Sequence, residues 1–327
     1  MQPIVSIIIP VYNGQKTIAL ALESLQKQML RDIEVIVVND CSTDNTSAIC
    51  HEFASTDSRF SVIDLSENLG VYCARATAFD YCIGKWIAFV DADDLVHKKM
   101  YLEMVEVAER EGVDLVVCSA NLVSREKKII ERKVRYYRNK KITQNIFEKF
   151  CKYEFGTGAL WNKLYRKEVI KKWISYGHAI RQDTNEDVLV NLGVFRNVRS
   201  VYQMSFPYYK QVRNPDSVTS KVGNQRAFIF LLQAFWLALE MAKKEGFNQK
   251  EISEVVQLYR IQLIATDYSL DSFDAKAQSL MGFMPIWKLL ATQYPAETLF
   301  LISRLPKGNQ RSFAKKIYIL LMNWMRP

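Results

Sequence analysis

Short β-branched and aliphatic runs recur through the first 120 positions with helix-length stretches between them, and that alternation restricts the chain to few folds. Ile4–Pro10, Ile33–Val38, Phe60–Leu65, Trp86–Val90 and Asp114–Cys118 read as strands. Thr17–Gln28, a stretch opened by the N-cap chemistry of Ser42–Thr46, Val71–Cys82 and His97–Glu111 read as helices. Near-continuous apolar runs suit strands buried on both faces of a parallel sheet, and strand–helix–strand units put the helices on those faces. Ligands of such sheets bind beyond the carboxyl ends of the strands. Asn13, Asp40 and Asp91–Asp94 all fall at those ends, so one site is expected there.

Residues 84–97, Gly-Lys-Trp-Ile-Ala-Phe-Val-Asp-Ala-Asp-Asp-Leu-Val-His, concentrate the chemistry. Asp91, Asp93 and Asp94 crowd three like charges at a strand end, and each raises the others' pKa. A hard cation such as Mg2+ or Mn2+ relieves that repulsion and keeps coordination positions open for a phosphate. A polar loop whose acids cap the helix starting near His97 accounts for the tetrapeptide equally well.

The net charge of +9 favours an anionic partner: nucleic acid, a membrane surface or a phosphorylated substrate. The six cysteines have no CxxC or Cys/His metal spacing, so reduced thiols in a cytosolic protein are expected. The N-terminus enters a strand without a basic, then apolar leader, and no apolar run reaches the roughly 18 to 20 residues of a spanning helix. A signal peptide and a membrane span are therefore not expected.

After Ala120 the pattern changes. Residues 125–141 carry nine Lys/Arg and two Glu among Ile129, Ile130, Val134, Tyr136 and Tyr137. A solvated hairpin is one reading; a surface for an anionic acceptor or lipid head groups is the sharper one. Thr143–Tyr153 looks helical, and the loop Phe155–Gly158 leads into Ala159–Tyr165 and a helix from about Arg166 to Trp173. Glu186 and Asp187 precede an apolar helix, Val188–Phe195, where they would favour its N-terminus. Val198–Met204 is a strand, followed by an aromatic segment at Pro207-Tyr208-Tyr209. Strand signals then vanish. Long amphipathic helices such as Ala227–Lys244 and Gln249–Asp267 place a boundary near 220, giving an α/β domain over 1–220 and a helical region over 221–327. Arg304–Pro327 holds six basic and no acidic residues around an apolar stretch. It can lie on an anionic membrane, or dock on its own domain or on a partner subunit.

Six segments resemble the family 2 glycosyltransferases, in that family's order: Ile-Ile-Ile-Pro-Val-Tyr-Asn (7–13), Glu-Val-Ile-Val-Val-Asn-Asp-Cys-Ser-Thr-Asp-Asn-Thr (34–46), Glu-Asn-Leu-Gly-Val-Tyr-Cys-Ala-Arg (67–75), Phe-Val-Asp-Ala-Asp-Asp (89–94), Trp-Asn-Lys-Leu-Tyr-Arg-Lys (161–167) and Asn-Glu-Asp-Val-Leu-Val-Asn (185–191). The resemblance covers roughly residues 4–220 and leaves the C-terminal hundred uncovered. It implies a GT-A fold (a Rossmann-like, mostly parallel central sheet flanked by helices), a nucleotide-sugar donor, a divalent metal and inversion at the anomeric carbon. By the same resemblance, Pro10, Val11, Tyr12 and Asn13 would line the nucleotide pocket and Asp40 would accept a hydrogen bond from the base, typically uracil. Asn68 and Arg75 would sit near the nucleotide or its diphosphate. Asp91, Ala92 and Asp93 form the DxD, with Asp91 and Asp93 contacting ribose and the Mn2+ or Mg2+. Asp187 would be the catalytic base, with Glu186 beside it. Trp161 suits a sugar face or core packing, and Lys210 and Arg213 suit the diphosphate or a solvent-exposed loop.

Two positions depart from the family pattern. His97-Lys98-Lys99 stands where the family often has Pro; His97 is an extra metal ligand or a helix-start surface residue. Asn185 stands where the Glu-Asp segment often begins with Gly.

The expected activity is transfer from a nucleotide-sugar, a UDP-sugar foremost, to a glycan, lipid-linked or glycoprotein acceptor in bacterial surface-glycan synthesis. The expected setting is the cytoplasm or the inner membrane's cytoplasmic face, with the C-terminal helices free to dimerise the chain. A nicotinamide-dependent dehydrogenase requires Gly-x-Gly-x-x-Gly in the first turn, and residues 10–15 lack it. A carboxylate–metal phosphohydrolase, a nucleic-acid binder and a non-catalytic nucleotide- or polyanion-binding relative are the competing readings; no nucleic-acid recognition motif is present.

Overall fold

The computed structural model describes residues 2–176, 180–214, 224–265, 286, 289–290 and 292–303. The chain divides into two compact units, residues 1–216 and 217–327.

The first unit is built on a ten-stranded sheet. Its strands are β1 (Val5–Val11), β2 (Ile33–Asn39), β3 (Phe60–Asp64), β4 (Trp86–Phe89), β5 (Leu95–Val96), β6 (Leu115–Val123), β7 (Ile129–Val134), β8 (Lys140–Ile142), β9 (Lys163–Arg166) and β10 (Val201–Val212). The order is β3-β2-β1-β4-β9-β6-β10-β5, with β7 on β6 and β8 on β10. The helices are α1 (Ile18–Gln26), α2 (Thr46–Thr56), α3 (Val71–Tyr81), α4 (Met100–Glu111), α5 (Ile146–Cys151), α6 (Lys167–Ile170) and α7 (Glu186–Asn197).

Every residue of β1 is buried, as its unbroken apolar sequence requires. It lies parallel to β2, with Val5 opposite Ile33, and to β4, with Val5 opposite Trp86. Pro10 has no N–H, which is costly inside a sheet. Here it costs no ladder bond. Ile8 accepts from Val90 on the β4 side, Pro10 shares the parity of Ile8, and the β1–β4 register ends at Ile8 opposite Phe89.

The long strands share one direction. The exception among the central strands is β9, which runs antiparallel to β4 and to β6, with Tyr165 opposite both Ile87 and Leu115. Two antiparallel steps leave β4 and β6 parallel to each other, and β10 is parallel to β6. Aromatic rings fill the centre: Phe89 meets Tyr165 edge-on at 5.9 Å between centroids. The short strands β5, β7 and β8 are antiparallel additions.

The elements differ from the sequence reading in two places that matter to the site. The last strand does not end at Met204 but runs to Val212 through the aromatic segment, with irregularities on both sides of Pro207 where the donor is missing. Glu186 and Asp187 are not ahead of their helix but form its first turn. Residues 125–141 do form a hairpin, β6 turning into β7, but Lys140 and Lys141 already belong to β8. All six cysteines are free.

The second unit contains α8 (Asn224–Lys244), α9 (Gln249–Ala265) and α10 (Pro295–Ser303). Asn248 and Glu251 cap α9 reciprocally: Asn248 N–H donates to Glu251 Oε2 at 2.8 Å and Glu251 N–H to Asn248 Oδ1 at 3.0 Å. Phe235 packs on Tyr259 at 5.3 Å, and Tyr294 donates to Glu240 at 2.6 Å. Among the described residues no helix is long and apolar enough to cross a membrane. The basic stretch 304–327 lies outside the described residues.

The register of α7 depends on one close approach. A Cβ on Gly193 would lie 2.2 Å from the Trp173 ring, which is 3% exposed and closed in by the core. Gly193→Ala is therefore expected to destabilise the first unit by about 1–3 kcal/mol through overpacking. Urea unfolding followed by tryptophan fluorescence measures it; an unchanged midpoint contradicts this packing.

Candidate active site

Four loops meet beyond the carboxyl ends of β1, β2, β3 and β4, each held by side chains that the sequence places at strand ends. After β1, Asn13 adopts a left-handed conformation, φ 49°. Its N–H donates to Ser42 Oγ at 2.9 Å and its Oδ1 accepts from Thr43 N–H at 2.8 Å. Gly14 N–H donates to Thr46 Oγ1 at 2.8 Å. The loop 12–15 is thereby laced to the start of α2. Pro10 and Val11 are buried beneath it and Tyr12 is half exposed.

Asp40, 3% exposed, holds the next loop. Its two oxygens accept the N–H groups of Leu69 at 2.8 Å and Gly70 at 2.9 Å, and its carbonyl accepts from Asn68 Nδ2 at 3.2 Å. Gly70 caps α3 with φ 88°, and a Cβ there would lie 3.0 Å from Asp183 Oδ1. Asn68 Oδ1 in turn accepts from Arg181 at 2.9 Å. Asp40 and Asn68 are thus fastened to each other and to the 181–183 segment.

At the end of β4 the three acids separate by direction. Asp94, 2% exposed, points inward and accepts from the Tyr209 hydroxyl at 2.8 Å and Val212 N–H at 2.8 Å. Tyr209 also accepts from Asp91 N–H at 3.2 Å, so one hydroxyl sets the acidic turn against β10. Burial, reinforced by Asp91 and Asp93, pushes the Asp94 carboxyl well above the usual range. Asp91 and Asp93, with Ala92 between them, are only partly buried. Asp93 accepts from Asn214 Nδ2 at 2.8 Å, and its pKa is raised by burial and by Asp91, against the lowering effect of that bond.

Arg75 joins this turn to α7. From α3 its guanidinium donates to Glu186 Oε1 at 2.6 Å and to Asp91 Oδ1 at 3.0 Å, while its Nε is buried without a partner. Burial alone would lower the Arg75 pKa; Glu186, Asp91 and Asp187 outweigh it and keep the group firmly protonated. Asn185 enters α7 at φ 67°, a left-handed conformation that Asn tolerates and Gly prefers. This explains how Asn serves at that turn. Glu186 is 6% exposed; burial and its neighbour Asp187 push it up to about 7, opposed by Arg75. Asp187 is also raised by burial, with Arg75 opposing. Its Oδ1 accepts Val188 N–H at 2.8 Å, and no described group takes its other oxygen.

The structure brings the sequence-selected residues to one end of the sheet and adds others. Lys163 is fully buried, donating to the carbonyls of Ala159 and Thr157 and to Asn162 Oδ1, and burial lowers its pKa to about 7. Asn191 of α7 donates to the Gly158 carbonyl at 2.6 Å and accepts from Tyr165 at 2.8 Å. A Cβ on Gly158 would meet Val188 Cγ2 at 2.5 Å, so the 157–162 loop is pressed on the first turns of α7. Lys163 lies within the Trp-Asn-Lys-Leu-Tyr-Arg-Lys segment, and its burial gives it a structural role that the sequence alone does not show. Trp161 stacks on Tyr209 at 4.5 Å and is 5% exposed, which is core packing. His97 packs on Phe206 and Tyr208, and its Nδ1 accepts from Lys99 N–H.

The donor set fits a hard divalent cation. Asp91 retains one carboxylate oxygen beyond its Arg75 contact and Asp93 one beyond its Asn214 contact. Burial raises the Asp93 pKa and repulsion from Asp91 adds to it, and a cation between the two carboxylates would offset both. Among the described residues no three acidic, His or Cys side chains form a closed cage, and Mg2+ or Mn2+ commonly completes its shell with water and substrate phosphate.

Comparison with known proteins identifies relatives of this arrangement. The family model described as glycosyl transferase family 2 matches residues 6–174. The uncharacterized glycosyltransferase EpsJ of Bacillus subtilis is 32% identical over 223 residues, which are 67% of this chain and 64% of that protein. The chain thus spans just under two thirds of that relative's length. The putative teichuronic acid biosynthesis glycosyltransferase TuaG of the same organism is 39% identical over 93 residues, 28% of this chain and 37% of TuaG. Among solved structures, S. aureus TarS 1-349 in complex with UDP-GlcNAc superposes with a TM-score of 0.70 at 20% identity, covering 93% of this chain and 84% of that one. That likeness is one of fold.

The raised Glu186 carboxyl has a measurable consequence. Its folded pKa of about 7 exceeds its ordinary 4.5, so the folded state binds the proton more tightly and loses stability as pH rises between those values. Glu186→Gln removes the titration. The melting temperature of the variant minus that of the parent should become more positive from pH 4.5 to 7 and then level off. A difference independent of pH contradicts the assignment.

Proposed function

This chain belongs to glycosyl transferase family 2, and we propose that it is an inverting, metal-dependent glycosyltransferase that moves a sugar from a UDP-sugar to an acceptor hydroxyl. The observation that carries the reading is the Glu186–Arg75–Asp91 bridge, which links the acid pair of α7 to the acidic end of β4. Cleaving a sugar from a nucleoside diphosphate needs positive charge at the leaving group and a base at the acceptor.

Asp91 and Asp93 would hold Mn2+ or Mg2+, which supplies charge neutralisation at the departing diphosphate. Loop 10–13, Asp40 and Asn68 would line the nucleoside, and Arg75 would sit near the nucleotide or its diphosphate. Glu186 is ion-paired with Arg75, whereas Asp187 has no ion-pair partner among the described residues, so Asp187 is assigned as the base. It takes the proton from the acceptor hydroxyl, whose oxygen attacks the anomeric carbon opposite the diphosphate and inverts it. Glu186 is a positioning residue that holds Arg75.

The UDP-sugar assignment draws on TarS, whose complex holds UDP-GlcNAc. The acceptor is proposed to be a glycan, lipid-linked or glycoprotein hydroxyl in a bacterial surface polymer; TuaG, a putative teichuronic acid biosynthesis glycosyltransferase, supports the surface-polymer part of that reading. The catalytic domain is assigned to residues 1–220, and 221–327 to oligomerisation, acceptor contact or attachment at the cytoplasmic face of the inner membrane.

The test is a screen of UDP-sugars with Mn2+ and a bacterial lipid and glycan extract as acceptor source, following glycosidic product and UDP together. Asp187→Asn should lower product formation at least about 100-fold while UDP affinity stays within about twofold. The acidic limb of the parent's rate profile should lie above the usual aspartate range, because burial raises the base. UDP release without glycosidic product would favour a phosphohydrolase instead, and undiminished transfer by Asp187→Asn would remove it as the base.

A further inference from the structure

The β6–β7 hairpin is a second feature with its own chemistry. Residues 125–141, which run from the β6–β7 turn through β7 to the first residues of β8, hold nine basic and two acidic side chains, +7 of the chain's net +9; all nine basic residues are exposed, and five of them, Arg125, Lys127, Lys128, Arg132 and Lys133, lie in the hairpin itself. Ser124 N–H donates to the Lys128 carbonyl at 2.8 Å and Lys127 N–H to the Ser124 carbonyl at 2.9 Å, so the turn is formed. Arg132, Lys133 and Arg138 have no ion-pair partner among the described residues.

The hairpin and the segment after it also expose apolar groups. Ile129 is 66%, Ile130 41% and Tyr137 86% exposed, with Arg135 over the Tyr137 ring at 5.2 Å. Adjacent strand residues point to opposite faces, so Ile129 and Ile130 project to both sides of the strand. An edge strand uses a few charges to prevent edge pairing. That accounts for part of the basic excess but not for bare aliphatic groups on both faces.

Position gives the pattern a direction. Because β6 runs parallel to β4, its carboxyl end lies at the same end of the sheet as Asp91 and Asp93. β7 pairs only with Ala120–Val123, the last part of β6. The turn 124–128 therefore leaves the sheet at the end that carries the candidate active site.

We infer that the β6–β7 hairpin, with residues 135–138 that follow it, is a membrane-docking element that seats its basic side chains on anionic lipid head groups and its exposed Ile129, Ile130 and Tyr137 at the interface. Aromatic and aliphatic groups among Lys and Arg match the layered chemistry of a bilayer surface. An anionic polysaccharide offers charge without an apolar layer. Each basic residue near an anionic leaflet strengthens binding about fivefold. Docking there presents the active-site end of the sheet to acceptors held in the bilayer.

The test is co-sedimentation of the full chain with phosphatidylcholine vesicles, with and without phosphatidylglycerol. Partition should require phosphatidylglycerol and weaken with salt. Combined Arg132→Glu, Lys133→Glu and Arg138→Glu should lower it at least tenfold, and Ile129→Ser with Ile130→Ser should lower it by about the same factor. UDP affinity should be unchanged in both variants, which reports correct folding, and the differences should persist when 304–327 are deleted. No partition by the parent, or partition unaffected by either variant, overturns the inference. Capture by soluble dextran sulfate that depends on the charges but not on the isoleucines would replace the membrane with an anionic glycan. Vesicle binding is read without sugar transfer, so it fails or stands separately from the catalytic proposal.

Discussion

A single buried cation holds the candidate site together. Arg75 reaches from α3 to Asp91 at the end of β4 and to Glu186 in the first turn of α7, joining parts of the chain 16 and 111 residues apart. Neither acid is placed by its own element alone. Glu186 begins a helix whose entry turn is left-handed, and Asp91 sits in a loop anchored by the Tyr209 hydroxyl. Buried ion pairs contribute little net stability compared with an apolar substitute, yet removing one partner strands a charge and costs about 3–5 kcal/mol. The bridge is therefore best understood as a geometric device. It fixes two acidic segments at a set spacing and ties Glu186 to Arg75, leaving Asp187 as the acid of the pair without an ion-pair partner among the described residues.

Around that bridge, polar contacts substitute for regular secondary structure. Asp40 spends both oxygens on the backbone of Leu69 and Gly70, and Asn13 laces the first loop to the second. Lys163, Asn162, Asn191 and Tyr165 form a buried network that ties the 157–162 loop to β9 and α7. Each carries an elevated desolvation cost and each has partners, so the loops are rigid where a ligand would need them preorganised. Water-facing freedom is left to Tyr12, Asp91 and Asp93 on the open side.

Much of this was legible from the residues. Unbroken apolar runs mark the buried strands, and the polar residues at their ends mark the candidate site, because a parallel sheet allows few other places for them. The direction of Asp94 was not legible, since it depends on Tyr209 and Val212, more than a hundred residues later. Nor was β9, a four-residue strand with no alternation to announce it, read as antiparallel between two parallel neighbours. The sequence signal of the last strand stops at Met204, whereas in the structure two irregularities absorb Pro207 and carry the strand on to Tyr209 at the acidic turn. Burial of Lys163 gave no local signal, because a charged residue inside a short strand looks exposed until the sheet is assembled.

The central proposal is that Asp91 and Asp93 are ligands for a cation that carries a nucleoside diphosphate. Isothermal titration of UDP into the full chain, with and without Mn2+ and repeated with Asp93→Ala, tests this directly. The account predicts binding that requires Mn2+ and is lost in the variant. Binding that is equal with and without the metal, or unaffected by removal of Asp93, would contradict it and reduce the acidic turn to a structural cap.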